Sequence, residues 1–370
     1  MTRTPLAQLS AVVLACVLAT GCGGSSTSTS SNSGSSTAKT LTSKANPSVS
    51  AGRGEGSGGL FTADEPWTLD VSASDPSERS EAIIAALNEL GGWGSGNEFQ
   101  TDFSITVFEA DASTPKVNVV ATKGGEYCGG GPDCTPLPIK MPIPADATVE
   151  GSKNLECDIS GKTEGQEDCH LLVADRAENK LYEAYQANKV GDDLTVGGMF
   201  VWDLDKAYPE TLRGDQCTSA DAAGFPIAAM TPTADEVASG SIDHAIRFIL
   251  PNDRMKKEVY VRPATHAGGP DSDNPNAPPY GVRFRLKPDF DDSSFSDAGK
   301  TVIAALKKYG MLLSDGGEIA LTFADDRTST AKWADLGIEP QTFNAITPDQ
   351  FDVVELGEEI PLTYDCVLES

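Results

Sequence analysis

Histidine is nearly absent from this chain, with three in 370 residues: His170, His244 and His266. Positive charge is scarce as well. There are 28 Lys plus Arg against 55 Asp plus Glu, a formal net charge of -27, and no basic block anywhere. Nucleic-acid affinity comes largely from cations that displace phosphate counterions, so nucleic acid is excluded as a partner. No apolar run approaches the roughly 20 residues of a membrane-spanning helix, which excludes a multi-span membrane protein. Aromatic residues are only 7 %, yet hydrophobic residues at 39 % supply a core, so a wholly disordered chain is excluded too. Cys-x-x-Cys pairs are missing, and with them the usual zinc frameworks. The glycines after Cys128 lack the Lys-Ser/Thr of a phosphate-binding loop. No Gly-x-Ser-x-Gly elbow surrounds Ser219, which leaves a triad of Ser219 with His244 and Asp221 or Asp243 without support.

What is present begins with an address. Arg3 precedes the apolar run Ala11 to Leu18, and Leu18-Ala19-Thr20-Gly21-Cys22 follows. The run is too short to span a bilayer and small residues precede the cysteine, as in a cleaved export signal over residues 1–21. Leu-Ala-Thr-Gly-Cys resembles the bacterial lipobox, with Leu18 one place earlier than usual. That resemblance implies lipidation of Cys22 and a lipid-anchored protein in the bacterial cell envelope. Gly23 stands where an inner-membrane retention signal would often place Asp, so the expected address in a Gram-negative owner is the outer membrane. Residues 22–60 are Ser, Thr and Gly with almost no bulky apolar residue, a composition that cannot offset the entropy of ordering. They read as a flexible tether with a mean reach of about 35 Å. Removing the signal leaves a charge of -28, most of it in residues 61–370.

Six cysteines remain: Cys128, Cys134, Cys157, Cys169, Cys217 and Cys366. An even number in an exported domain implies disulfides. Cys128 and Cys134 flank a tight Gly/Pro loop, and Cys157 and Cys169 flank a polar insert, so these are expected to pair locally. Cys217 then pairs with Cys366.

Strand signals dominate from Trp67 onward. Short stretches at 103–108, 117–120, 170–174, 199–204, 244–250, 259–262 and 351–356 are rich in β-branched and aromatic residues. In 281–286, Val282, Phe284 and Leu286 share one face and Arg283 and Arg285 the other, the pattern of a half-buried antiparallel strand. Met311-Leu312-Leu313 and Ile319 to Phe323 flank Ser314-Asp315-Gly316-Gly317, which reads as a hairpin. Two helices stand out. One is capped by Asp75 with Ile83, Ile84 and Leu87 as its buried stripe, and one is capped by Ser296 with Val302, Ile303 and Leu306. No composition break divides residues 61–370. The expected fold is therefore a β-rich extracytoplasmic domain, a single antiparallel sandwich or jelly-roll with two packed helices, braced by disulfides.

Several motifs carry a resemblance: Asp168-Cys169-His170-Leu171-Leu172-Val173-Ala174-Asp175, Lys180 to Tyr185, Thr218 to Ile227, Gly240 to Phe248, Arg262 to His266, Gly281 to Lys287 and Leu306 to Met311. In this order they resemble a family of secreted, mostly uncharacterised bacterial proteins. The likeness runs from about Trp67 onward and is loosest in the Cys157 to Cys169 insert and in residues 322–336. It implies a single exported domain and transfers no activity.

Chemistry would sit most simply on the histidines and on the acids of those motifs. His170 and His244 each open an apolar strand, which points them toward a core, and His266 lies in a Gly/Pro loop. Asp175 and Glu183 flank an expected hairpin, Asp221 precedes an Ala-Ala-Gly-Phe-Pro bend, and Asp243 precedes His244. Two carboxylates about 5 to 10 Å apart would suit glycoside hydrolysis. The candidate catalytic set is thus His170, Asp175, Glu183, Asp221, Asp243 and His244, should the protein be an enzyme. No cofactor is called for. Asp271-Ser272-Asp273-Asn274 and Asp289-Phe290-Asp291-Asp292 offer hard oxygens to a structural calcium, without EF-hand spacing or a closing Glu. Trp67, Trp93, Trp202 and Trp333 are read as core anchors rather than sugar platforms. A tethered acidic β domain fits best a non-catalytic module that binds or scaffolds an extracellular glycan or envelope component. The alternative is a glycoside hydrolase or polysaccharide lyase. The two differ in whether the candidate acids and histidines converge in an open cleft or are sealed beneath strands.

Overall fold

The computed structural model describes residues 59–61, 64–128, 131–157 and 168–369. The export signal, Cys22 and nearly all of the tether lie outside the described residues. The rest is β-rich, and its organisation follows from the stretch Leu171–Asp175, which is apolar without alternation until its last residue. A strand of that kind must be covered on both faces. Leu172 and Ala174 enter a large core, while Leu171 and Val173 enter a smaller one. The four-stranded sheet that holds this strand runs in the order Val107–Ala110, Leu171–Asp175, Lys180–Tyr185, Gly198–Asp203. Across it Leu181, Phe200 and Trp202 join the large core, and Tyr182, Ala184 and Met199 the smaller. The smaller core also takes Val119, Met141, Leu194 and Val196 from a second four-stranded sheet, ordered Ile139–Pro142, Lys116–Ala121, Asp193–Val196, Asn188–Val190.

The large core is built on a six-stranded sheet in the order Thr101–Ile105, Leu321–Ala324, Ile246–Leu250, Met311–Gly316, Arg283–Leu286, Phe351–Val354. The sheets are mixed rather than purely antiparallel. Parallel pairs join Thr101–Ile105 to Leu321–Ala324, Val107–Ala110 to Leu171–Asp175, Lys116–Ala121 to Asp193–Val196, and Ile246–Leu250 to Met311–Gly316. Alternation along a strand reports which face is buried and carries no information about direction, so the antiparallel expectation had nothing to test it. Among the described residues no sheet closes into a barrel.

Two local expectations also change. Met311–Gly316 and Leu321–Ala324 do not form a hairpin, because Ile246–Leu250 lies between them and bonds to both. The Asp315-Gly316 pair belongs to a strand. Arg283 and Arg285 do not face water; each is 3 % exposed. Their terminal guanidinium nitrogens donate to carbonyls of a chain segment laid across that face and to neighbouring groups, while Arg285 Nε is buried without a hydrogen-bond partner among the described residues. Arg283 donates to Pro66 O at 2.6 Å and Tyr309 O at 2.7 Å, and Arg285 donates to Val71 O at 3.0 Å and Asp352 Oδ2 at 3.0 Å.

Helix Asp297–Lys308 starts where its capping residue dictates, with Ser296 Oγ accepting from Gly299 N at 3.1 Å. It ends at Gly310, whose φ of +70° is open to glycine at little cost. Val302, Ile303 and Leu306 are fully buried. Helix Ser80–Glu89 buries Ile83, Ile84 and Leu87 but begins five residues after the expected Asp75 cap, with Arg79 at its N-cap and no side-chain cap bond. The three expected disulfides are present: Cys128–Cys134, Cys157–Cys169 and Cys217–Cys366.

Candidate functional site

The site is organised by one bend and one arginine. Residues 217–226 turn sharply, with Gly224 N donating to Asp221 O at 2.9 Å. Gly224 has a φ of +88°, and a Cβ there would lie 2.1 Å from Thr265 Oγ1, so only glycine fits. Ser219 Oγ is engaged in the same bend, donating to Asp221 O at 2.9 Å. The bend turns the Asp221 carboxylate inward, where it is 0 % exposed. Arg247 reaches it from the central strand of the six-stranded sheet. Its Nε donates to Asp221 Oδ2 at 2.9 Å, its Nη2 to Asp315 Oδ2 at 2.9 Å and its Nη1 to Thr322 Oγ1 at 2.8 Å. Burial disfavours the guanidinium, but Asp221 and Asp315 overcome it and hold its pKa above the usual arginine value. Burial pushes the Asp221 carboxyl up against the pull of Arg247.

His170 enters from the sheet on the other side of the bend. Its Nε2 is 3.1 Å from Ala220 O, and its Nδ1 is 2.7 Å from Glu150 Oε2 and 3.6 Å from Asp168 Oδ1. Burial lowers the pKa of this imidazole, yet Asp168 and Glu150 more than compensate and raise it to about 10. Glu183 lies on the large-core face, its Oε2 accepting from Trp202 Nε1 at 3.1 Å and its Oε1 from Ala228 N at 3.0 Å. Burial pushes its carboxyl up to about 7, assisted by the nearby Asp221 charge.

Three of the six candidate residues, His170, Glu183 and Asp221, therefore share one electrostatic neighbourhood. They are 4 %, 0 % and 0 % exposed, sealed beneath the bend. The other three are elsewhere. The predicted 175–183 hairpin is present, but Leu172 pairs with Glu183 and Asp175 with Lys180, which puts Asp175 and Glu183 on opposite faces. Asp175 caps the turn, accepting from Ala177 N at 2.9 Å. Asp243 accepts from Ser241 Oγ at 2.7 Å. His244 lies 3.3 Å from Glu236 and 2.8 Å from Ala245 O, beside a concavity of about 730 Å³.

Above the sealed layer is an open cleft of about 570 Å³, walled by Tyr127, Tyr185, His266, Asp168, Asp315 and the start of the bend. Tyr127 is 49 % exposed and meets Tyr185 edge-on at 5.8 Å; Tyr185 in turn lies 5.6 Å from the His170 ring. His266 Nδ1 donates to Ala222 O at 2.9 Å, and the ring packs on Tyr364 at 5.5 Å. Burial keeps its pKa below the ordinary value. Tyr364 and Gly268 continue into an adjoining concavity of about 760 Å³. All four tryptophans are buried, so the aromatic surface of the cleft is tyrosine. Aromatic faces flanked by carboxylates can stack on a ring and accept hydrogen bonds from its hydroxyls or amines.

Two clusters could hold a metal ion among the described residues: Glu150, Asp168 and His170, and Asp133 with Cys217 and Cys366. The second is spent, since both cysteines are in a disulfide. Of the acidic runs read for calcium, Asp273 pairs with Lys257, and Asp292 lies 3.6 Å from Lys307.

Several site residues have no strong sequence signal. Glu150 and Tyr127 lie in loops, and Asp315 sits in Ser314-Asp315-Gly316-Gly317, a pattern that signals a turn rather than a site. Arg247 was findable, because a cation inside Ile246-Arg247-Phe248-Ile249-Leu250 must have a buried partner. Compared with known protein families, curated proteins and solved structures, the chain matches none. Among the described residues no helix is long and apolar enough to cross a membrane. The disulfides fit an oxidising, extracytoplasmic compartment.

Proposed function

We propose that this chain is a surface-anchored bacterial lipoprotein whose β-rich part is a non-catalytic module for an extracellular glycan of the envelope or its surroundings. In this reading Cys22 carries the lipid, residues 22–60 hold the folded part away from the membrane, and the two four-stranded sheets face each other as a sandwich across the smaller core. The observation that supports it is the separation of the aromatic surface from three of the candidate catalytic groups. Tyr127 and Tyr185 stand in the open cleft, while His170, Glu183 and Asp221 are sealed below it. A general acid or base has to reach its substrate, and these three do not. The acidic walls and the charge of -27 favour a neutral or amine-bearing sugar over a polyanion.

The test is incubation of the full chain with a panel of neutral, amine-bearing and acidic polysaccharides. Retention of a neutral or amine-bearing glycan without release of reducing ends is the expected result. Release that disappears in Asp221→Ala or His244→Ala would establish the hydrolase alternative instead, and unsaturated products would establish a lyase.

A further inference from the structure

The cluster at one wall of the cleft goes beyond glycan recognition. We propose that Glu150, Asp168 and His170 form a binding site for a divalent transition-metal ion of the Zn2+ type, open on its fourth side to the tyrosine-lined cleft. The site borders the proposed glycan surface, but its test uses metal alone, so the two readings can fail separately.

The argument starts from the two nitrogens of His170. Nε2 lies 3.1 Å from Ala220 O inside the buried bend, and because a carbonyl only accepts, Nε2 carries the proton of that contact. Nδ1 faces two carboxylates, Glu150 Oε2 at 2.7 Å and Asp168 Oδ1 at 3.6 Å; without metal its proton fills the contact to Glu150, and a metal ion would displace that proton to reach the lone pair. Three electron-rich atoms in a site where the imidazole is 4 % exposed need a positive charge between them. A proton meets the need at one contact; a divalent ion meets it at all three. Anchoring of one imidazole nitrogen on a carbonyl, so that the other faces the metal, is the usual outer-shell arrangement of a ligand histidine. Glu150 is held in the same way, its Oε1 accepting from Ser104 Oγ at 2.9 Å.

The dimensions agree. The three donor atoms lie within 4.8 Å of one another. An ion about 2.0–2.2 Å from each of them requires tetrahedral donors about 3.4 Å apart, so the Glu150 to His170 contact has to open by less than about 1 Å. One imidazole nitrogen with two carboxylate oxygens suits zinc and its neighbours. Calcium and magnesium take all-oxygen shells of six or more. Three protein ligands leave a coordination position free, and Asp168, whose side chain is 63 % exposed, lines the cleft and directs that position toward it. A sugar hydroxyl or a water could complete the shell.

The experiment is equilibrium dialysis of the full, disulfide-bonded chain, stripped with a chelator and returned to Zn2+, with and without excess Ca2+. One tightly held Zn2+ per chain, undisturbed by Ca2+, is expected. His170→Gln alters a buried ring and perturbs the fold as well as the site, so the decisive variants are Asp168→Asn and Glu150→Gln, each checked for an unchanged melting temperature. Each should weaken Zn2+ binding at least tenfold, and Asp271→Asn should not. Failure of the wild type to retain Zn2+, wild-type affinity in both decisive variants, or displacement of Zn2+ by an equal concentration of Ca2+ would overturn the assignment.

Discussion

The carboxylate of Glu183 accepts a hydrogen bond of 3.1 Å from the indole Nε1 of Trp202, and both side chains are 0 % exposed. A titratable group is thereby placed inside the large core, where its charge is disfavoured by burial. That placement has a consequence for stability. The folded-state pKa of Glu183 is raised from 4.5 to about 7. Below pH 4.5 the group is protonated in both states and its contribution is fully present. As pH rises through 4.5 the unfolded chain ionises first, so the contribution falls and is lost by the time pH passes about 7. Denaturant unfolding of wild type and Glu183→Gln at pH 4.5 and pH 8 should show the wild type losing about 3 kcal/mol relative to the variant over that window. A difference that does not change with pH would show that Glu183 does not titrate there.

Arg247 holds two carboxylates and a hydroxyl at once, and both it and Asp221 are buried. Arg247→Met should destabilise the fold by about 3–5 kcal/mol, because it leaves Asp221 and Asp315 without their cation. The double variant Arg247→Met with Asp221→Asn should recover part of the loss. Equilibrium unfolding of the three proteins measures this, and a single-variant loss under about 1 kcal/mol would mean the network contributes little.

Tyr127 is half-exposed in the cleft, and its ring lies against Gly198, so truncation removes contact surface without opening the core. Tyr127→Ala should leave the melting temperature within about 2 °C. It should weaken glycan retention about tenfold, the cost of removing an aromatic anchor. Affinity electrophoresis in the retaining polysaccharide reads this directly, and equal retardation of both proteins would move the binding surface elsewhere.

Cys217–Cys366 closes a separation of 149 residues, and beside it Val367–Leu368 pairs with Gly214–Asp215. The double variant Cys217→Ala with Cys366→Ala should lose about 2–5 kcal/mol. Its last residues should become the first site of proteolytic trimming, as mass spectrometry of a limited digest would show. An unchanged digestion pattern would mean that strand pairing alone secures the tail.

Anchoring is tested outside the described residues. If Cys22 carries the proposed lipid, Cys22→Ala should shift the protein from the membrane fraction to the soluble extracytoplasmic fraction, since no helix among the described residues is long and apolar enough to cross a membrane. Continued membrane partition of the variant would remove the lipobox reading.

Patterns confined to neighbouring residues were legible in advance. The stripe Ile83, Ile84 and Leu87, the Ser296 cap, the 175–183 hairpin and the three cysteine pairs all follow from spacing a few residues long or, for the last pair, from what spacing left over. The buried arginines were misread because alternation cannot say what covers the second face of a strand. That cover comes from carbonyls at Pro66 and Val71, more than 200 residues away from the arginines they satisfy.

The sequence by itself determined a strongly acidic chain, too short in its apolar runs for repeated membrane-spanning helices, and rich enough in strand signals and cysteines for a disulfide-braced β fold. Those properties are sums over residues or short-range periodicities, and they survive any choice of topology. Only the tertiary structure decided that Ile246–Leu250 separates two strands that look like a hairpin. It alone sealed Asp221, Glu183 and His170 under the 217–226 bend, and it alone brought Glu150 to within 2.7 Å of His170. Side chains from distant segments meet because burying apolar area outweighs the entropy of closing the loops between them, and one chain offers many such closures. The choice among them is made by the packing of the whole core, which no local window of sequence contains.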